Sequence, residues 1–325
     1  MAHPNPHDAY FKHVFSRPEN TAAELRLVLA PELLAQLDLS TLKRAPGSFV
    51  DPALSEYRCD LVFQLALRRR RRDPRRALLH VLHEHQSTPD PLQPLWDLIY
   101  MTRLWSFWLR EHPRSKQLPA IVPLVLHQGP RRWASPRSFD ELIDLPPQTL
   151  ELVRPYLPVF RYALDDLGAS SREEIGRRDA PPLARLAQIL LRELRGAQSL
   201  EFLAEHADLF NAVTDAEDRA ATFSYILEVG GAEPETVRQS LGRGVRPDVR
   251  EAVMTAAERL RAEGRLAERR ETLLRLLRLR FGEVPQAVVE RVQKAKADSL
   301  ARWLDRFATV ETLPQVFTRR RASRG

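Results

Sequence analysis

Two apolar stretches flank a basic loop in residues 59–87: CDLVFQLAL, then RRRRRDPRR, then ALLHVLHEHQS. No other part of the chain restricts the fold so strongly. Two strand-length runs of Leu, Val and Phe joined by a short polar segment read as one β-hairpin. Both faces of each run are apolar, as expected of a sheet covered on both sides. Strand side chains alternate faces with a period of two, so Glu84 and Gln86 project on the same side. Centring the loop, residues 68–76, on Arg72 sets Asp60 opposite Glu84, with Cβ atoms roughly 5 Å apart. Carboxylates at that separation suit a shared divalent cation, which favours hard oxygen ligands. A slip of one residue would send them to opposite faces, so the expectation depends on register.

Before the hairpin, HDAYFKHVFSRPENTAAELRLVLAPELLAQLDL reads as mostly helical. Phe11, Val14 and Phe15 have helical spacing, and a second helix follows from Thr21 with Pro31 interrupting it. Asp8 and Lys12, four apart, share one helix face as a surface ion pair. Residues 42–50 make a poor strand because of Pro46 and Gly47. After the hairpin, residues 92–111 form an apolar helix with Leu95, Leu98, Ile99, Leu104, Trp105 and Trp108 on its buried face. Its tryptophans are read as packing against the sheet. AIVPLVLHQG (120–129) is a buried strand that Pro123 weakens or places at an edge. The order is helix, weak strand, strand, strand, helix, strand, which fits a compact α/β domain.

Beyond Pro130 the pattern changes to prolines and short apolar clusters, and from Pro181 it becomes helical. GGAEPE marks a break. Residues 249–271 are a charged helix carrying Gly264, and the segment from LLRLLRLRF to TLPQVF reads as three short helices. The expected domains are 1–165, a helical region 166–247 and a helical C-terminal domain 248–325. This helical half has no catalytic constellation and is the expected seat of any homo-oligomer.

The net charge is +7. The loop 68–76 and the tail RRRASRG hold more than that between them, so the rest of the chain is slightly acidic. Arg69, Arg70, Arg71 and Arg72 are therefore candidate DNA-contacting residues, or simply a solvated loop. Eight residues of extended strand, roughly 26 Å, separate the loop from Asp60, so it does not reach a reacting group there. The single cysteine, Cys59, excludes an internal disulfide and a cysteine zinc cage. His80, His83 and His85 do not match H-E-x-x-H, and on a strand Glu84 faces away from His83 and His85. They are expected as hydrogen-bonding or partly buried histidines, and Trp133 as packing. No run of 18 apolar residues predicts a membrane span, and the start lacks a secretory signal, so a cytoplasmic protein is expected.

HDAYFKHVFS (7–16), YRCDLVF (57–63), LHEHQSTPD (82–90) and LVLHQGPRRW (124–133) together resemble the recombination-promoting nuclease family, also described as transposase-like. The resemblance covers about residues 3–165. LLRLLRLRFGEVP and ARWLDRFATVETLPQVF look like a C-terminal domain often attached to such proteins. That family is similar to the PD-(D/E)XK nuclease superfamily, with an αβββαβ core. The resemblance implies a DNA endonuclease that hydrolyses phosphodiesters and promotes recombination or DNA mobility. Asp60 and Glu84 would hold Mg²⁺, with Mn²⁺ or Ca²⁺ as substitutes, and Asp60, Glu84 and Gln86 would be catalytic. Gln86 stands where the superfamily usually has a lysine. Asp8 and Lys12 lie in the family's N-terminal motif and His127 in its last one, as candidate supporting residues. The alternative is a nuclease fold of little or no activity, used for DNA binding or protein assembly.

Overall fold

The computed structural model describes residues 5–45, 61–68, 78–128, 131–194 and 199–318. Of the predicted site, Asp60, the arginines at 69–72 and the side chain of Glu84 lie outside them, as does Cys59. The chain divides into two compact units, residues 1–253 and 254–325.

In the first unit, helix α1 (Pro6–Phe15) starts with Asn5, whose side chain accepts from the His7 N–H, and with Pro6 in the first turn. It buries Tyr10, Phe11, Val14 and Phe15 along one stripe. Helix α2 (Pro18–Val28) turns back sharply. Asn20 Nδ2 donates to Val14 O at 2.7 Å and Thr21 Oγ1 to Phe15 O at 2.8 Å, satisfying carbonyls that the end of α1 leaves open. A short α3 (Pro31–Leu34) leads into the sheet.

The sheet has strands β1 (Leu37–Arg44), β2 (Leu61–Leu67), β3 (Leu78–Gln86), β4 (Ala120–His127) and β5 (Ala163–Asp166), in that spatial order. β1 with β2 and β2 with β3 pair antiparallel, whereas β4 lies parallel to β3 and β5 parallel to β4. Helix α4 (Gln93–Glu111) makes the crossover from β3 to β4. α1 covers one face, with Phe11 stacked on His85 at 5.2 Å between ring centres. α4 covers the other, where Tyr100, Met101 and Leu104 pack with Val62 and Ile121. The α/β class and the sheet covered on both sides are as expected.

Several local expectations are corrected. β1 begins at Leu37, inside the stretch read as helical. Asp38 accepts from Ser40 Oγ at 2.6 Å and Thr41 Oγ1 donates to Asp38 O at 2.7 Å, local bonds that compete with a helix. On α4 the deeply buried positions are Gln93, Pro94, Asp97, Tyr100, Met101 and Leu104. Of the six residues expected there, only Leu104 is fully buried, and the other five are half-buried. Gln93 Nε2 donates to Asp97 Oδ1 at 3.0 Å, so two polar residues one turn apart go inside as a pair. Trp96 and Trp105 are only half-buried, and their N–H groups donate to Asp90 and to Pro119 O. β4 is interior, not an edge. Pro123 lies just short of Leu124–His127, the residues that β5 pairs, so it faces a second strand on one side only.

The helices that follow are α5 (Pro147–Val153), α6 (Arg172–Gly176), α7 (Pro182–Glu193), α8 (Phe202–Glu205), α9 (Ala207–Ala212), α10 (Ala216–Gly230) and α11 (Pro234–Ser240). α10 is fastened to α1. Tyr10 stacks on Tyr225 at 4.4 Å, and buried Asp218 takes both Arg17 and His13. Gly231, with φ at 58°, ends α10. α12 (Pro247–Phe281) is one 35-residue helix that absorbs both the charged segment and LLRLLRLRF. Gly264 sits within it with no neighbouring side chain. In the second unit, Leu273 and Leu277 pack with Val292, Leu300 and Val316 from α13 (Gln286–Gln293), α14 (Ala297–Phe307) and α15 (Leu313–Phe317). Among the described residues, no helix is long and apolar enough to cross a membrane.

Candidate active site

The β2–β3 ladder pairs Leu61 with His83, Val62 with Leu82, and so on to Ala66 with Leu78. Every pair is symmetric about Arg72, the register expected from the sequence. Position 84 follows directly after the last described pair and sits beside Val125 of β4.

The end of β3 meets the ends of β4 and β5 in two rows of opposite parity. In one row Gln86 lies beside His127, and His127 beside Asp166. His127 is fully buried, and its Nδ1–H donates to Asp166 Oδ1 at 2.8 Å. Asp166 also accepts from the Trp133 N–H at 2.8 Å and the Gly168 N–H at 3.1 Å. Three donors converge on this carboxylate, and the His127 bond among them fixes the orientation of the imidazole ring. Trp133 packs edge-on against the imidazole at 5.0 Å, the packing role expected of it. Gln86 itself is half-buried, and its carbonyl accepts from the Gln128 N–H at 3.0 Å.

The second row carries His85, Leu126 and Asp165 toward α1 and α2. His85 Nε2 bonds Gln128 Oε1 at 2.7 Å. Burial lowers the His85 pKa to about 4, a shift the Gln128 bond only partly offsets. It is a neutral, hydrogen-bonded core histidine, as expected. Near Asp165, Glu24 of α2 is wholly buried and hydrogen-bonded to Gln188. Burial and then the neighbouring Asp165 charge push Glu24 well above the usual carboxylate range, so it is carried protonated. Asp165 is neutralised by both nitrogens of Arg178, at 2.6 and 2.9 Å.

The structure therefore brings His127 next to Gln86 and adds Asp166, which the sequence reading passed over. Asp8 and Lys12 form their expected half-exposed ion pair at 2.9 Å on α1. That helix meets β3 through His85, the parity opposite to Gln86. Among the described residues there is no group of three or more His, Cys, Asp or Glu side chains that could hold a metal. The donors expected at positions 60 and 84 are all oxygens, which fits a hard divalent ion.

A family model described as "Putative transposase, YhgA-like" matches residues 5–221. The chain is 27% identical over 262 residues to the recombination-promoting nuclease RpnD of Escherichia coli O157:H7, covering 78% of this chain and 94% of that one. It is 28% identical over 271 residues to the recombination-promoting nuclease RpnA of Escherichia coli strain K12, covering 80% and 84%. It is 26% identical over 268 residues to the inactive recombination-promoting nuclease-like protein RpnE of the same strain, covering 80% and 83%. No solved structure matches.

Proposed function

Because the chain belongs to the family described as YhgA-like transposases, with relatives named recombination-promoting nucleases, we propose that it is a divalent-metal-dependent DNA endonuclease. Residues 1–165 are then a PD-(D/E)XK-like core. The observation that carries this reading is the β2–β3 register. Up to Leu61 and His83 it is the register from which the sequence reading opposes Asp60 to Glu84, with Gln86 two residues beyond Glu84 on β3. Asp60 and Glu84 hold the ion, Mg²⁺ first and Mn²⁺ or Ca²⁺ as substitutes. When bound, such an ion polarises the phosphate and lowers the pKa of water.

The chain's own residues supply the rest. Hydrolysis forms a bond from a water oxygen to phosphorus and breaks the bond to a sugar oxygen, which must gain a proton. The Gln86 amide orients the water but cannot take its proton. Lys12, already paired with Asp8, is a poor replacement for the lysine that Gln86 displaces. His127, held by Asp166 one strand over, is the titratable side chain best placed by register to steady that end of the site.

A second reading has one observation in its favour: a relative covering most of the chain is named inactive. On that reading the fold binds DNA or assembles with proteins without cutting. Supercoiled plasmid incubated with the protein in Mg²⁺, Mn²⁺ or Ca²⁺, and in EDTA, separates the two. Nicking with a divalent ion and none in EDTA is expected. Nicking that persists in EDTA overturns the metal assignment, and binding without nicking establishes the second reading.

A further inference from the structure

We propose that a cleft beside the sheet, lined by Arg132, Arg137 and Arg161, is the track on which this protein holds DNA phosphates flanking the cut. The inference rests on the nuclease reading above and deepens it by naming a contact surface. The cleft has a volume of about 740 Å³. Its floor includes Leu164 of β5, and its walls include the segment after β4.

Seven charged side chains line it, but they are not equivalent. Asp165 is consumed by Arg178. Asp166 is consumed by His127 and the Trp133 N–H. Glu141 accepts from the Arg137 N–H at 3.1 Å and Ser138 Oγ at 2.7 Å. The acids thus have partners within the fold. The guanidinium groups of Arg132, Arg137 and Arg161 have no hydrogen-bonded or ion-paired partner among the described residues; Arg161 feels only the longer-range field of Asp140. All three side chains are exposed. A pocket whose acids are all engaged within the fold and whose arginines are left over suits an anion, and guanidinium forks match phosphate oxygens.

Position singles out DNA as the anion. Asp166 of the cleft is two strands from Gln86, roughly 10 Å at the spacing of neighbouring strands. Successive phosphates on one DNA strand advance about 3.4 Å along the axis. The cleft therefore meets phosphates some three steps from the one at the Gln86 end. The arginine run at 69–72 is at the opposite end of its hairpin by sequence, whereas these three arginines, scattered at 132, 137 and 161, converge on the reacting end.

The test measures binding of a labelled duplex of about 30 base pairs in EDTA, between 50 and 200 mM KCl. The proteins compared are wild type, R132A/R137A/R161A, R132K/R137K/R161K, and R110A/R114A/K116A, which removes equal charge near the start of β4. Loss of three phosphate contacts lowers the log–log salt slope by about 2.7, so wild type loses roughly 40-fold more affinity over that range than the alanine cleft variant. The lysine variant and the distant variant keep the wild-type slope. An unchanged slope in the alanine cleft variant, or an equal drop in the distant one, overturns the cleft. If wild type does not bind but nicks plasmid in Mg²⁺, the cleft falls and the nuclease reading stands. If it does neither, both fall.

Discussion

Asp97→Asn isolates a buried acid inside α4. Asp97 is inaccessible to solvent, accepts one bond from Gln93, and has a second oxygen with no partner among the described residues. Burial raises its pKa from 3.8 to about 7, and the Gln93 bond offsets only part of that. The folded chain thus binds a proton between pH 4 and 7 that the unfolded chain has released. Stability falls as pH rises through that window, because the unfolded state binds fewer protons there. A shift of about three units is worth on the order of 4 kcal/mol above pH 7. Asparagine has the shape of the neutral acid and keeps the oxygen that Gln93 contacts. The variant is expected to match wild type near pH 4 and to exceed it by about 3–4 kcal/mol at pH 8. Urea unfolding followed by tryptophan fluorescence reads this directly, since Trp96, Trp105 and Trp108 lie on the same helix. His85 also titrates in this range, but it is common to both proteins and cancels. Parallel stability–pH curves for the two would show that Asp97 is not held protonated.

Three more outcomes follow from the same geometry. His85 has its folded pKa lowered to about 4 from 6.5, so its contribution is lost as pH falls from 6.5 toward 4; His85→Gln should flatten the acid limb of the stability curve by about 3 kcal/mol. Asp218→Ala strips Arg17 and His13 of their shared buried partner and should lower the stability of the first unit by about 3 kcal/mol in urea unfolding, with Asp218→Asn costing less. Gly264→Ala, in the middle of α12 with open space at the added methyl, should raise thermal stability by an increment of about 1 kcal/mol.

The hairpin was legible because its register is set locally. Two strand-length runs symmetric about Arg72 leave one pairing that keeps the apolar positions on their faces, and β2 and β3 adopt it. α1 was legible for a similar reason, since Phe11, Val14 and Phe15 all go inside. β5 was not. Its four residues, ALDD, end in two acids, and the groups that partner them, His127 and Arg178, arrive from 39 and 13 residues away. The buried face of α4 was misjudged because Gln93 and Asp97 satisfy one another, which hydrophobicity cannot register. The cleft arginines were invisible for the opposite reason to the arginine loop. Three singly placed cations look like ordinary surface, and only the fold brings them together. Asp166 left one signal, an acid closing a short apolar run.

The most direct test of the central claim is plasmid nicking by Asp60→Ala in Mg²⁺, with circular dichroism confirming an unchanged fold. A bound ion supplies several kcal/mol of charge stabilisation, so the variant should nick about 100-fold more slowly than wild type or less. Nicking at the wild-type rate would contradict the assignment of Asp60 and Glu84 as the site.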